Sequence, residues 1–331
     1  MIDTPKVHFI HHLDYDNIGD WLASPLNYFA DYFIDQYNVV YHTLELIRWN
    51  EIAPNDAIIL GGGGLFENEP FCQEWINRML DTCGCVIAWS VGFHRRGEEP
   101  VLPEINYSKF ALAAVRDYDH PAGLEYLPCV TCMLPQLRKK SEVKHTLGVI
   151  NHTEFIITES GLPFIDNSVN IDEMTDFIAE CDAILTSSFH AAYWSLLMGK
   201  KTIVAFIWAD KFKYFKNKPV LLNDLSVDIV NKILVDGEAK TYEGWLDECI
   251  DLNIKFFERV KKSLEDYMPE AGRAETTVSL LKQKEWNTVD LHRRMNGMIE
   301  QINTLVDKIE LRFDLMEKEI IKIKNSKNEP Q

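Results

Sequence analysis

Short apolar runs that end in glycine, serine, arginine or histidine recur along this chain, with helical stretches between them. Val7–Ile10, Val39–Tyr41, Asp56–Leu60, Val86–Trp89 and Ala111–Val115 read as strands. Leu22, Leu26, Phe29, Phe33 and Tyr37 recur at spacings of three or four and predict one helix from Trp21 to Tyr37. Phe71–Leu80 reads as a second helix. Strands this short and apolar, separated by helices, build βαβ units and a parallel sheet covered on both faces. After a basic and polar stretch, Leu134–Lys144, the pattern restarts. Leu147–Ile150, Ala183–Thr186 and Thr202–Ile207 are the strands; Asp172–Ala179 and Ala191–Met198 are the helices. The expected fold class is α/β with two doubly wound, Rossmann-like domains, residues 1–137 and 138–240. Helices follow over 241–284, broken by Pro269 and Gly272. Beyond them Leu291, Met295, Met298, Ile302, Leu305 and Ile309 alternate spacings of four and three, and Phe313, Met316, Ile320 and Ile323 continue the stripe. That stripe predicts a coiled-coil oligomerisation helix over 285–325.

The chain has 331 residues, 46% of them apolar and 26% charged, which excludes wholesale disorder. No apolar run reaches the length of a membrane span, and the start lacks the basic and apolar regions of a secretion signal. The formal charge is −17. Acids and bases balance beyond Trp286, so the excess lies in the preceding residues, and nucleic acid is a poor partner. An anionic substrate would need cations or helix N-termini placed locally. The seven cysteines are odd in number and irregularly spaced, as in reduced cytoplasmic proteins. Cys129 and Cys132 form a CxxC without a second pair at zinc spacing, so no metal is expected.

In doubly wound sheets, ligands bind beyond the carboxyl ends of the strands. Asn17-Ile-Gly19-Asp20 follows the first strand; Asp20 reads as a cap for the helix beginning at Trp21 or as a base. Gly61, Gly62, Gly63 and Gly64 follow the third. They suit an anion if a helix follows, or a tight packing turn, and match neither the dinucleotide nor the P-loop pattern. Glu67 and Glu69 lie just beyond. His94, Arg95 and Arg96 follow Ser90-Val-Gly92; the arginines suit a carboxylate or phosphate, or surface pairs with Glu98 and Glu99. Arg116-Asp117 repeats the situation one strand later. Ser187 and Ser188 end a strand, and His190 opens a helix, either facing a ligand or capping. His8, His11 and His12 lack a clear carboxylate partner and read as structural.

In this order and spacing, Asn17-x-Gly19-Asp20, Gly61–Gly64, Ser90-x-Gly92, Arg116-Asp117 and His190 before Gly199-Lys200 resemble the polysaccharide pyruvyl transferase family, over roughly residues 8 to 235. The resemblance implies a GT-B-like arrangement of the two domains and a transferase of exopolysaccharide or capsule biosynthesis. Its donor would be phosphoenolpyruvate, its acceptor a saccharide or lipid-linked glycan, its products a pyruvate ketal and phosphate. It implies no cofactor. His190 would bind the donor or act as acid, and Asp20 or Glu67 would be the base. Asn17, Gly19, the four glycines, Arg95, Arg96, Arg116, Ser187, Ser188 and Lys211 would bind substrate. Trp21, Phe66 or Trp208 would stack on the sugar. Ketal-forming members tend to carry Arg-Leu-His where this chain has Ser188-Phe189-His190, so Arg95, Arg96, Arg116 or Lys211 would replace that arginine. The alternatives are a GT-B glycosyltransferase with a nucleotide-sugar donor and a non-catalytic scaffold. The expected location is the cytoplasm, with peripheral contact at the inner membrane face.

Overall fold

The computed structural model describes residues 5–12, 17–67, 70–94, 102–153, 155–157, 161–223 and 227–268. The coiled coil expected over 285–325 lies outside the described residues, as do Glu69, Arg95 and Arg96.

In chain order the first part comprises β1 (Lys6–His11), α1 (Ile18–Leu22), α2 (Leu26–Gln36), β2 (Asn38–Thr43), β3 (Ala57–Gly61), β4 (Phe66–Glu67), α3 (Pro70–Thr82), β5 (Cys85–Val91), β6 (Phe93–His94), β7 (Leu112–Val115) and β8 (Glu125–Tyr126). The second comprises β9 (His145–Asn151), β10 (Phe164–Asp166), α4 (Ile171–Glu180), β11 (Cys181–Thr186), α5 (Phe189–Leu197), β12 (Lys201–Ala205), β13 (Val220–Leu222), α6 (Val227–Asp236) and α7 (Trp245–Tyr267). A six-stranded sheet has the order β2-β1-β3-β5-β7-β8, and a five-stranded sheet the order β10-β9-β11-β12-β13. Every pairing in both is parallel. The central strands β3 and β5 are buried at every residue, which is why they are continuous apolar runs rather than alternating ones.

In each sheet the strand order reverses once. From β1 the chain goes outward to β2 and then returns to β3 on the other side; from β9 it goes outward to β10 and returns to β11. These are topological switch points, where the loops after neighbouring strands diverge and leave room for a ligand. The first is flanked by Asn17–Asp20 and the Gly61–Gly64 turn, the second by His152 and Ser187–His190.

The single helix expected from Trp21 to Tyr37 is two. Pro25, which offers no N–H to a continuing helix, breaks it, and the break turns α2 toward the sheet, where the Pro25 ring lies against Gly61. Asp20 is not the cap. Asn17 occupies the N-cap position, and Asp20 sits in the first turn, where a carboxylate suits the positive helix end. Nor does a helix directly follow the glycine turn: β4 comes first, pairing with β6.

One face of the first sheet packs Phe9, Ile59, Ile87 and Trp89 against Phe33 of α2 and against Phe256, Val260 and Leu264 of α7. The amino-terminal end of α7 belongs elsewhere. Trp245 and Cys249 pack with Ile150 and Ile184 of the second sheet, Trp194 of α5 and Ile18 of α1. This 23-residue helix thus joins the cores of both sheets. At its middle, buried Asn253 accepts the indole N–H of Trp89 at 3.0 Å and donates to the Pro128 carbonyl at 3.0 Å.

Candidate functional site at the paired switch points

The start of α1, which follows a strand of the first sheet, and the start of α5, which follows a strand of the second, meet directly. His190 Nδ1 lies 3.9 Å from Asp20 Oδ1. Asn17 donates to the other Asp20 oxygen at 2.7 Å and fixes the carboxylate. Gly19 makes the approach possible: a β-carbon there would fall 2.1 Å from His190 Nδ1. Only a residue without a side chain can let the imidazole so close to the backbone.

The loop after β5 brings up the cations. Ser90 adopts a left-handed conformation, φ 49°, where the β5–β7 register shifts between Trp89 and Val91. The bulge turns Gly92 onto the Arg116 guanidinium, whose Nε would lie 2.2 Å from a β-carbon at that position. Arg116 is 5% exposed, its guanidinium lies 4.1 Å above the Phe189 ring, and its Nε and Nη1 have no hydrogen-bond partner. Buried donors without acceptors are costly unless a ligand supplies them. Lys211 follows β12; its ammonium lies 4.1 Å over the Trp208 ring. Trp208 in turn stacks on Phe155 at 4.9 Å and donates its indole N–H to the Ser187 carbonyl at 3.1 Å.

The charges interact. Burial, followed by the neighbouring Arg116, pushes the Lys211 ammonium down to about 7. Burial raises the Asp117 carboxyl to about 7 despite Arg116 beside it and the Phe93 N–H it accepts at 2.8 Å. Burial depresses His190 to about 3; Asp20 opposes this, while Arg116 and Lys211 reinforce it. Burial also works against charge on Asp20, but His190, Lys211 and Arg116 prevail and hold that carboxyl below its ordinary value. The result sets a neutral imidazole beside an ionised Asp20, with the Arg116 guanidinium and the Lys211 ammonium near both.

Other expected residues have more structural surroundings. Gly62 donates its N–H to the Trp89 carbonyl at 3.2 Å, and Gly92 donates to Gly63 at 2.7 Å, so the glycine turn is braced on the β5 loop. Gly61 packs on Pro25, Gly62 on Ala23 and Gly64 on His94; Gly63 faces Asp20 Oδ1 at 3.7 Å from an added β-carbon. Ser187 is a clamp: its hydroxyl donates to the Phe155 carbonyl at 2.5 Å and accepts the His152 N–H at 3.0 Å. Ser188 is the N-cap residue of α5 and makes no capping bond. Glu67 lies 3.3 Å from His94 Nδ1. Lys200 does not reach the site; it donates to the Ala179 and Cys181 carbonyls, and Gly199 turns the chain out of α5 with φ 72°. Phe66 is buried with Ile58, Leu60 and Val86 on the other face of the first sheet and is not placed to stack on a sugar. The histidine triplet departs from expectation, because buried His8 has a carboxylate partner, Asp56, at 3.0 Å, and bonds His42 at 2.9 Å. Among the described residues no group of three acidic, histidine or cysteine side chains could hold a metal. Nor is any helix there long and apolar enough to cross a membrane.

Sequence reasoning missed the setting of Asp117, Phe155 and His152. Asp117 was visible beside Arg116, but its isolation from water was not.

Paired parallel sheets with polar residues converging at both switch points define a doubly wound α/β protein with a candidate site at those switch points. The family model for polysaccharide pyruvyl transferase matches residues 6–208. The chain belongs to that family, and it is a transferase of polysaccharide biosynthesis. No curated protein matches it significantly. A crystal structure of an uncharacterized protein from Klebsiella pneumoniae subsp. pneumoniae NTUH-K2044 is similar at 14% identity, over 61% of this chain and 83% of that one, with a TM-score of 0.36.

Proposed function

We propose that the protein transfers a pyruvyl group from phosphoenolpyruvate to a hydroxyl pair of a saccharide. The convergence of Arg116, Lys211, His190 and Asp20 at the two switch points supports this reading most. Phosphoenolpyruvate carries a carboxylate and a phosphate. Arg116, with two buried and unpartnered nitrogens, suits the first; Lys211, Ser188 and the start of α5 suit the second. In the reaction one sugar oxygen bonds to the central carbon of the donor, and the methylene carbon gains a proton to become a methyl group. The second sugar oxygen then displaces phosphate at the same carbon. Of the two hydroxyl protons, one balances the new C–H bond and the other leaves with phosphate. Asp20, ionised, is the group to accept a hydroxyl proton. His190 acts as a neutral imidazole, and Asp117 holds a proton near neutrality. Glu67 is the alternative base. A GT-B-like arrangement of the two sheets, self-association through residues 285–325 and work at the inner membrane face belong to the same proposal.

The test is phosphate release on incubation with phosphoenolpyruvate and saccharides bearing neighbouring free hydroxyls, beside thermal-shift titrations. Release that depends on both components is the expected result. Stabilisation by a nucleotide sugar without response to phosphoenolpyruvate would replace this reading with the glycosyltransferase. Silence toward both donors would favour a non-catalytic scaffold.

A further inference from the structure

A line of side chains lies behind His190, on the side away from Asp20. The Trp194 indole Nε1 lies 3.1 Å from Thr131 Oγ1. Thr131 Oγ1 lies 3.3 Å from Cys129 Sγ, and Cys129 Sγ lies 3.7 Å from His190 Nε2. All four residues are buried. An indole N–H can only donate, so Thr131 Oγ1 accepts it. The threonine proton then points to the cysteine sulfur, the sulfur is already accepting, and its own proton has His190 Nε2 before it. For that bond Nε2 must carry a lone pair, which puts the ring proton on Nδ1.

We propose that Trp194, Thr131 and Cys129 are positioning residues that hold His190 as its Nδ1–H tautomer, so that the site side of the ring is always the donor. With the opposite tautomer, Sγ would face two donors while its own proton lost its acceptor, all in a buried place where unmade hydrogen bonds are not replaced by water. A charged imidazolium against a thiolate is disfavoured because burial and the nearby Arg116 and Lys211 suppress protonation of this ring. Nδ1–H faces Asp20 and the backbone at Gly19, so the proton His190 offers goes to an oxygen lying beside Asp20. Cys129 thereby has a use that its place in a CxxC does not suggest.

This inference rests on the reading of His190 as a site residue, but its test needs no substrate. The ring nitrogens are observed by long-range proton–nitrogen spectra of the full chain labelled at histidine, with His190 assigned from the spectrum of His190→Gln. The expected pattern is a protonated Nδ1 and an unprotonated Nε2. Cys129→Ser, which can still accept and donate, should keep it. Thr131→Val and Cys129→Ala should shift the ring toward a mixture of tautomers and lower kcat by at least about tenfold, with KM for phosphoenolpyruvate changed less. A protonated Nε2 in the unaltered protein would overturn the proposal. So would an unchanged tautomer in both Thr131→Val and Cys129→Ala. If the chain ignores phosphoenolpyruvate while the tautomer is as stated, the proposed donor fails and this inference stands.

Discussion

Gly19 and His190 form one unit, since the first exists where it is to let the second approach. A methyl at Gly19 would lie 2.1 Å from the imidazole nitrogen, and the ring it would meet is buried. Gly19→Ala and His190→Ala should therefore each reduce turnover by about 100-fold or more, with the protein still folded by circular dichroism. The motif around Gly19 was legible; the reason for its glycine was not, because its contact lies in the other sheet. Lys211 and Asp117 give the pocket a pH dependence. The ammonium loses its proton and the carboxyl loses its own near pH 7. Above that value both changes remove positive character, so affinity for a dianion should fall as pH rises through 7 to 8, and binding at pH 8 should take up protons. Calorimetry in two buffers of different ionisation enthalpy would measure the uptake, and Lys211→Met should weaken binding and flatten the profile.

At the edge formed by β1 and β2, the Arg48 N–H reaches His42 Nδ1 at 3.3 Å, His42 bonds His8, and His8 bonds Asp56. Burial holds His8 below its ordinary value and His42 down at about 4. A histidine whose folded value lies below its unfolded one binds more protons when unfolded, so stability is lost as pH falls from 6.5 toward 4. His42→Gln should make the denaturant midpoint less sensitive across that window. The three strands were legible from their apolar runs, but Asp56 precedes β3 by one residue, and nothing in the local pattern ties it to His8. Helix α7 makes the same point over a longer distance. That helices follow residue 241 could be read, while the contact of α7 with Trp89 joins residues far apart in the chain. Asn253→Ala leaves the Trp89 indole and the Pro128 carbonyl unpartnered. It should lower unfolding free energy by about 1–3 kcal/mol, as measured by denaturant titration. Pro25 was in plain view, yet apolar spacing suggested a continuous helix; a proline in the interior should have outweighed that spacing.

The chain as a whole carries −17 charges, yet its site gathers cations where the two sheets meet. Donor capture should therefore rest on short-range contacts rather than on long-range attraction. The repeated strand–helix pattern gave two parallel sheets in advance, whereas how their ends meet depends on side chains from distant loops. The apolar stripe from Leu291 to Ile323 predicts assembly. A version ending at Lys284 should show a lower mass by light scattering than the full chain at micromolar concentration; equal masses would leave that stripe without an oligomeric role.

Helix α7 also sets a condition on how the protein is made. Synthesis can deliver all six strands of the first sheet, through Tyr126, while one apolar face still lacks Phe256, Val260 and Leu264. A ribosome must translate the whole second sheet before that face can close. During that interval the part of the face that α7 covers, Trp89 included, is a surface that chaperones would recognise and that neighbouring nascent chains could join. The finished molecule hides this surface, so the period of greatest vulnerability falls during translation.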